Sequence, residues 1–512
     1  MFARPYYQVL MNADEYECSD TEMREPCMFA VRGRRSARST GSDWRFAALL
    51  AVLTVVPSGL ACAADASDAA PKPQEPAPAP TLCDGQPSIS GSVPVLGDWK
   101  KALCERGFNP QVNFISEVFG NPTGGVKQGA RYEQRLELGL DGDMNQIAGI
   151  KGLIFHINSY EIAGQSLSTY NLYNYSAITF IAAHPAWLLF EAWAEYKLPG
   201  DKLSIRVGQL AADSDFFISE LGQLYLNSTY GWPNIFADDL PSGGPAYPFA
   251  TPGVRVKVYA SDQLNLVAAV FNGDPTGAGF SGKPWQYDPS DTNFLVKYPP
   301  FVVGEAQFAY NQDKDSTGLA GKIKFGGWYH FGSFNDQYFG SDGVPLADPD
   351  SDGRALTHSG DYSLYGVIDQ MLWRLPGEDP KKGIGAFARV SAAPTDRNLI
   401  HFYADGGVNF MGLWSQRPGD QFGVSASYTE VSPAVNALDV DTAAFTGEKL
   451  PARDYELLLE ATYQAQIMPG WTVQPDFEYV FHPGGGAVNP LNPASGRIPD
   501  AAVFGVRTTV QF

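Results

Sequence analysis

The sequence predicts an all-β fold, a sixteen-stranded antiparallel transmembrane β-barrel of outer-membrane type behind a short periplasmic N-terminal segment. Three observations predict it. Apolar and polar residues alternate with a period of two from about residue 110 onward. The connections sort by length, with tight turns after even-numbered segments and long loops after most odd-numbered ones. The last ten residues, VFGVRTTVQF, form such a segment themselves. Phe504, Val506, Thr508, Val510 and Phe512 share one face, and Gly505, Arg507, Thr509 and Gln511 share the other.

The alternation is clearest in four stretches. RYEQRLELGLD sets Tyr132, Leu136, Leu138 and Leu140 against Arg131, Glu133, Arg135 and Glu137. KLSIRVGQ opposes Leu203, Ile205 and Val207 to Lys202, Ser204 and Arg206, and GVRVKVY opposes Val254, Val256 and Val258 to Arg255 and Lys257. In KIKFGGWYHF, Ile323, Phe325, Tyr329 and Phe331 oppose Lys322, Lys324, Trp328 and His330. A soluble sandwich also alternates, so the pattern alone does not decide between the two.

Segment number and loop sorting do. Segments start near residues 110, 130, 150, 187, 202, 251, 263, 301, 321, 361, 382, 400, 420, 454, 470 and 500. Each runs about nine to thirteen residues, the length a tilted strand needs to cross a bilayer. LPGD at 198–201, ASDQ at 260–263 and MPGW at 468–471 read as tight turns. Residues 211–250, 273–300, 333–360 and 429–453 read as long loops, and 392–399 is a short exception. A barrel has no free edge, so the last strand must pair with the first, placing Phe512 in an interfacial aromatic girdle. SAITFIAAHPAWLLFEAWA at 176–194 resembles a membrane helix, but Pro185 interrupts it and Glu191 lies inside it. It reads as a loop followed by a strand with Glu191, Trp193 and Glu195 facing the lumen.

Composition agrees. The chain has 512 residues, 13% aromatic, with 53 glycines, 25 tyrosines and a formal net charge of −20. That charge argues against nucleic-acid binding. Upstream, FAALLAVLTVV at 46–56 follows Arg32, Arg34, Arg35, Arg38 and Arg45 and precedes an A-x-A site at Ala61 and Ala63. This is a secretory signal, too short to span a bilayer as a helix. Residues 1–27 hold six acids and suit no signal, so translation is expected to begin at Met28. The expected organisation is 1–63 upstream extension and signal peptide, 64–82 Pro/Ala-rich spacer, 83–108 periplasmic segment and 109–512 β-barrel. Cys83 and Cys104 are the two cysteines after the cut, and an oxidising compartment favours their disulfide.

Several blocks are long enough to carry a resemblance. KLSIRVGQLAADSDFFISE, LNSTYGWP, DLPSGGPAYPFATPGVRVKV, AAVFNGDP, GVIDQMLWR and TYQAQIMPGWTVQPDFEYVFHPGG resemble the carbohydrate-selective porins, the OprB family. GDWKKALCERGF resembles the family's GDWGG-type lead-in, with Lys100 and Lys101 in place of glycines. The resemblance covers most of residues 95–512 and implies passive diffusion of glucose and related sugars through the bacterial outer membrane.

A pore that favours an uncharged sugar needs donors and acceptors close together, aromatic faces, and opposed charges without a net field. The expected lining is Arg131, Glu133, Arg135, Glu137, Glu191, Trp193, Glu195, Arg206, Arg255, Lys257 and Arg389. The connection at 211–250 is expected to fold inward as a constriction, with Asp213, Asp215, Glu220 and Trp232 at the pore. Two plainer readings stand beside these: charges that merely keep the lumen wet, and a loop that caps the barrel outside. DPDSDG at 348–353 begins like a calcium loop but has Ser359 at the twelfth position, which favours a turn-rich outer loop. No metal site, cofactor or catalytic motif is expected. Asp369 and Gln370 read equally well as a lumen pair or as strand packing.

Expected partners are small sugars, outer-membrane lipids, the barrel-assembly machinery acting on Phe512, and further copies in a homotrimer. The alternatives are a general diffusion porin and, further off, a barrel enzyme built around His156 or His330, or an adhesin.

Overall fold

The computed structural model describes residues 88–512, apart from residues 281, 314, 378 and 380. The signal peptide, the spacer and Cys83 lie outside the described residues. The described chain opens with a short 3-10 helix, Ile89–Ser92, followed by an α-helix, Pro94–Cys104, and continues into the strands. These are β1 (Phe108–Thr123), β2 (Gly129–Asp143), β3 (Leu153–Gly164), β4 (Ala186–Lys197), β5 (Leu203–Leu210), β6 (Thr251–Tyr259), β7 (Leu264–Asn272) and β8 (Pro300–Tyr310). The second half is β9 (Gly321–Gly340), β10 (Ala355–Arg374), β11 (Gly383–Ala392), β12 (Ile400–Met411), β13 (Gln421–Val431), β14 (Tyr455–Met468), β15 (Trp471–Phe481) and β16 (Ala501–Gln511).

All neighbours pair antiparallel, and β16 returns to β1 to close the barrel, with Val118 opposite Val506. Closure leaves no strand with unpaired backbone, the condition for non-helical chain in hydrocarbon. The two faces follow the sequence alternation. Phe325, Phe331, Leu364 and Phe504 are exposed outward, while Lys324, His330, Arg389 and Arg507 are buried inward. Residues 176–185 form irregular chain ahead of β4, as Pro185 requires. Among the described residues no helix is long and apolar enough to cross a membrane.

Four features depart from the expectations. β9 and β10 are 20 residues each, so the connection expected at 333–360 shrinks to 341–354. The hairpin continues because cross-strand bonds persist, such as His358 Nε2 to Asp336 Oδ2 at 2.8 Å. Secondly, the connection after β13 is largely helical, Pro433–Thr446, with Pro433 in its first turn and Gly447 ending it at φ 71°. Thirdly, Phe512 stacks under Trp99 of the N-terminal helix, ring centroids 5.8 Å apart, with the Lys100 ammonium 5.3 Å from its ring. A helix rather than an aromatic girdle therefore covers it.

The fourth departure is in β4. The register slips between Ile157 and Ser159 of β3, so Phe190 and Glu191 both oppose Asn158. This bulge turns Leu188, Phe190 and Glu191 all inward, where strict alternation would send one of each pair to lipid.

The largest cluster of buried apolar side chains lies inside the barrel. Phe216, Phe217, Ile235, Phe236 and Leu240 of the 211–250 connection pack on Phe271, Phe301, Val303, Trp328, Tyr365, Val367 and Tyr403 of the wall. These parts of the loop cover the β7–β12 side of the lumen, whose inner face is aromatic and apolar, while Leu224, Tyr225, Leu226 and Tyr230 pack with Phe119, Phe387, Leu458, Val480 and Val503 of β1, β11 and β14–β16.

Candidate functional site

The inward loop is held at its backbone by carboxylates of the wall. Glu191 accepts the N–H of Ala211 at 3.1 Å, and Glu305 that of Phe217 at 2.9 Å. Asp369 takes the N–H groups of Glu220 and Leu221, each at 3.2 Å, and the Ser219 hydroxyl at 2.5 Å. Glu460 takes Leu226 N–H at 2.7 Å. In return, Asp239 of the loop accepts Leu399 and Ile400 N–H from the chain leading into β12. Buried backbone donors need such partners, and charged acceptors make the strongest ones.

Arg389 belongs to this anchoring and not to the pore lining. Its side chain is fully covered and paired with Asp405 at 2.5 Å. It donates to the carbonyls of Phe217 (2.9 Å), Gly231 (3.3 Å) and Thr229 (2.7 Å), three points of the loop. Its guanidinium also lies 4.7 Å from the Phe217 ring centroid. An arginine saturated by protein acceptors has no donor left for a sugar, which corrects the expectation for it.

At the loop's beginning the polar wall takes over. Arg206 of β5 donates to Glu195 of β4 at 2.9 Å and to Asp215 of the loop at 3.3 Å. Arg255 of β6 repeats the pattern, reaching Glu195 at 3.0 Å, Asp215 at 3.3 Å and the Ser204 hydroxyl at 2.8 Å. Two guanidiniums and two carboxylates therefore form one neutral network where wall and loop meet. Its side chains are 4–18% exposed, with Arg206, Glu195 and Asp215 the open members. The Trp193 ring lies 3.9 Å from the Arg206 guanidinium and stacks on His156 at 5.0 Å. His156 is in turn held by Asp141 at 2.7 Å.

Arg135 adjoins this network. Its guanidinium lies among three rings, 4.5 Å from Tyr160, 5.3 Å from Tyr247 and 5.7 Å from Phe180. Glu137 accepts the Asn158 amide at 2.9 Å, and Asp213 accepts Tyr247 N–H at 3.0 Å. Burial pushes the Asp213 carboxyl up to about 6, against the pull of that bond and of Arg135. Glu133 is buried nearby in β2.

The remaining expected residues spread outward. Arg131 donates to Asn171 at 2.9 Å and lies 5.3 Å from the Tyr170 ring, tying β2 to the connection after β3. Glu220 is exposed and pairs with Lys322 of β9. Lys257 is half-buried on the β6 face, and its ammonium lies 5.4 Å from the Tyr259 ring. Trp232 donates to the Gly243 carbonyl at 3.0 Å and packs on Phe236 at 4.8 Å, bracing the loop's own fold. Asp369 anchors the loop, whereas Gln370 accepts the Tyr310 hydroxyl. Sequence reasoning missed Tyr160, Tyr247, Lys322 and Lys324, whose ammonium donates to Ile218 O at 2.7 Å. The alternation of β3 and β9 placed three of them inward, but nothing local marked them as neighbours of the loop. DPDSDG forms exposed turns, with Asp348 accepting Asp350 N–H at 2.9 Å.

A closed sixteen-strand barrel narrowed by an inward loop is the architecture of a porin, and the comparisons with known proteins resolve which kind. Residues 127–512 match the model of the carbohydrate-selective porins, the OprB family. The chain belongs to that family. It is a β-barrel channel of the bacterial outer membrane for carbohydrate-selective diffusion. Porin B of Pseudomonas aeruginosa is 23% identical over 429 residues, covering 76% of this chain and 87% of that protein. A high-pH structure of Pseudomonas putida OprB superposes with a TM-score of 0.71 at 20% identity, covering 81% of this chain and 97% of that one. The second likeness concerns the fold of this porin. The family is one of channels, not enzymes. His330, half of the enzyme alternative, is spent on backbone, its Nε2 2.9 Å from Gly273 O and its Nδ1 accepting Gly332 N–H.

Proposed function

We propose that this porin selects glucose-like sugars at the junction of Glu195, Arg206 and Arg255 with Asp215, beside Trp193 and Arg135. The observation that carries the reading is the neutrality of the network. Two arginines and two carboxylates present strong donors and acceptors to hydroxyls while offering no net field to hold an ion. The loop brings Asp215 to the wall, so selectivity and narrowing share one element. Trp193 supports the reading less directly, because Arg206 and His156 already pack on its ring. Flux follows the gradient, and binding weak enough to release implies millimolar affinity, roughly −4 kcal/mol.

Three finer assignments belong to the same proposal. The organisation 83–108 as periplasmic segment and 109–512 as barrel fits the helix at Pro94–Cys104 and the first strand at Phe108. The barrel-assembly machinery would read Phe512 before Trp99 covers it. Assembly as a homotrimer rests on the architecture alone.

Single-channel recording in a planar bilayer tests the selection. Glucose should block ion current with a saturating, millimolar dependence, and succinate or an uncharged non-sugar of equal size should not. A channel that conducts but ignores glucose would be a general porin at this site, and the network a support for the loop.

A further inference from the structure

Away from the Arg206–Glu195 network, the wall behind the middle of the loop gathers acid. Glu460 of β14 stands directly opposite Glu478 of β15, and Asp476 follows on the same inward face. Carboxylate oxygens of the three all lie within 4.8 Å of one another. None is more than 6% exposed. Like charges facing each other across a ladder destabilise it, and burial amplifies the repulsion. The nearby cation does not resolve the conflict. Arg507 gives its Nε–H to Glu117 at 2.6 Å and another N–H to the Thr179 hydroxyl at 2.5 Å.

A second observation points to what does. Both oxygens of Asp476 and Oε1 of Glu478 are buried without a hydrogen-bond partner. The other oxygens are oriented by the loop: Glu460 Oε1 accepts Leu226 N–H at 2.7 Å, and Glu478 Oε2 accepts the Asn227 side-chain amide at 2.8 Å. Glu460 Oε2 also accepts Asn227 N–H at 3.3 Å, so the loop holds Glu460 at both oxygens and Glu478 at one, and leaves Asp476 and Glu478 Oε1 without a partner. An all-oxygen carboxylate cluster oriented by the loop has the chemistry of a hard divalent cation site, and a donor set of carboxylates alone disfavours softer metals.

We propose that Glu460, Asp476 and Glu478 bind one calcium ion. The ion neutralises the facing carboxylates, ties β14 to β15, and through Leu226 and Asn227 fixes the inward loop to the wall. The site shares no residue with the Arg206–Glu195 network, and calcium binding is read without any sugar, so either assignment can fail without the other.

The test uses the full exported chain, purified in detergent, stripped with chelator and equilibrated with calcium chloride at pH 7. Bound calcium is counted by mass spectrometry after dialysis, and folding is followed by heat-modifiable gel migration. The expected result is one calcium per chain and a raised melting temperature, with at least a tenfold loss of affinity in Asp476→Asn. Asp476 is the variant of choice because it accepts no hydrogen bond from the loop. Asp350→Asn, in the exposed DPDSDG turn, should bind as the unmodified chain does. No stoichiometric calcium at millimolar concentration would overturn the proposal, as would undiminished binding by Asp476→Asn. Should Asp476→Asn fail to fold, Glu478→Gln and terbium luminescence of the unmodified chain, displaced by calcium, decide the matter. Absence of a displaceable terbium signal overturns it equally.

Discussion

Arg389 and Asp405 meet at 2.5 Å on adjacent strands β11 and β12, with neither side chain exposed, and together they grip the loop that narrows the channel. The pair is a structural lock inside the lumen. Asp405 orients the guanidinium, and the guanidinium's remaining donors take carbonyls at Phe217, Thr229 and Gly231.

Breaking a buried pair by removing one partner leaves an uncompensated charge, at a cost of about 3–5 kcal/mol. Arg389→Met should therefore loosen the loop while the sixteen-strand ladder stays closed. Single-channel conductance should rise and become noisier, with normal heat-modifiable migration. An unchanged conductance would show that the loop is held without Arg389.

Arg206 is expected to act on solute rather than on architecture. A hydrogen bond to a charged group contributes about 1.5–3 kcal/mol. Arg206→Ala should thus weaken glucose block by about tenfold or more. It should also remove one positive charge from beside Glu195 and Asp215, shifting reversal potentials in a salt gradient toward cation selectivity. Retained glucose block would remove Arg206 from the selective site.

Asp213 sets a pH dependence. Its folded-state value, near 6, lies above the ordinary 3.8. Folding therefore favours its protonated form, and that contribution to stability is complete below about pH 3.8 and lost as pH rises through about 6. Between pH 5 and pH 7 the constriction gains one negative charge beside Arg135, so cation selectivity should rise. Comparing reversal potentials of the unmodified channel and Asp213→Asn isolates this step. Identical pH profiles for the two would assign it elsewhere.

Trp99 on Phe512 ties the N-terminal helix to the closing strand. An aromatic pair contributes about 0.5–1.5 kcal/mol beyond its buried area. Trp99→Ala should lower the thermal unfolding midpoint slightly and leave conductance unchanged. Cys104 is disulfide-bonded at the end of the same helix. Reduction should add to the loss if the two act on one element. A conductance change in Trp99→Ala would show instead that the helix reaches the pore.

Much of the fold was readable from the chain. The period-two alternation of β2, β5, β6 and β9 identified their inward faces, since lipid on one side and water on the other leave no compromise. Pro185 marked where β4 begins. The bulge at Phe190 and Glu191 was not readable, because a one-residue insertion is a property of two strands in register. Nor was the full length of β9 and β10, whose outer halves are held by cross-strand pairs such as Asp336 with His358.

The site divides along the same line. Inward-facing charge on a strand follows from local pattern, so Glu191, Glu195, Arg206, Arg255 and Arg389 could be named from sequence. Their roles could not. Glu191 and Arg389 hold the loop's backbone, whereas Glu195, Arg206 and Arg255 form an ion-pair network with Asp215 of the loop. What the sequence by itself determined is the barrel, its strand number, its inner face and its family. Only the tertiary structure decided which lumen charges hold the loop's backbone and which join its Asp215 in an ion-pair network. Alternation sees one strand at a time, and the loop reaches across the lumen to residues more than a hundred positions away.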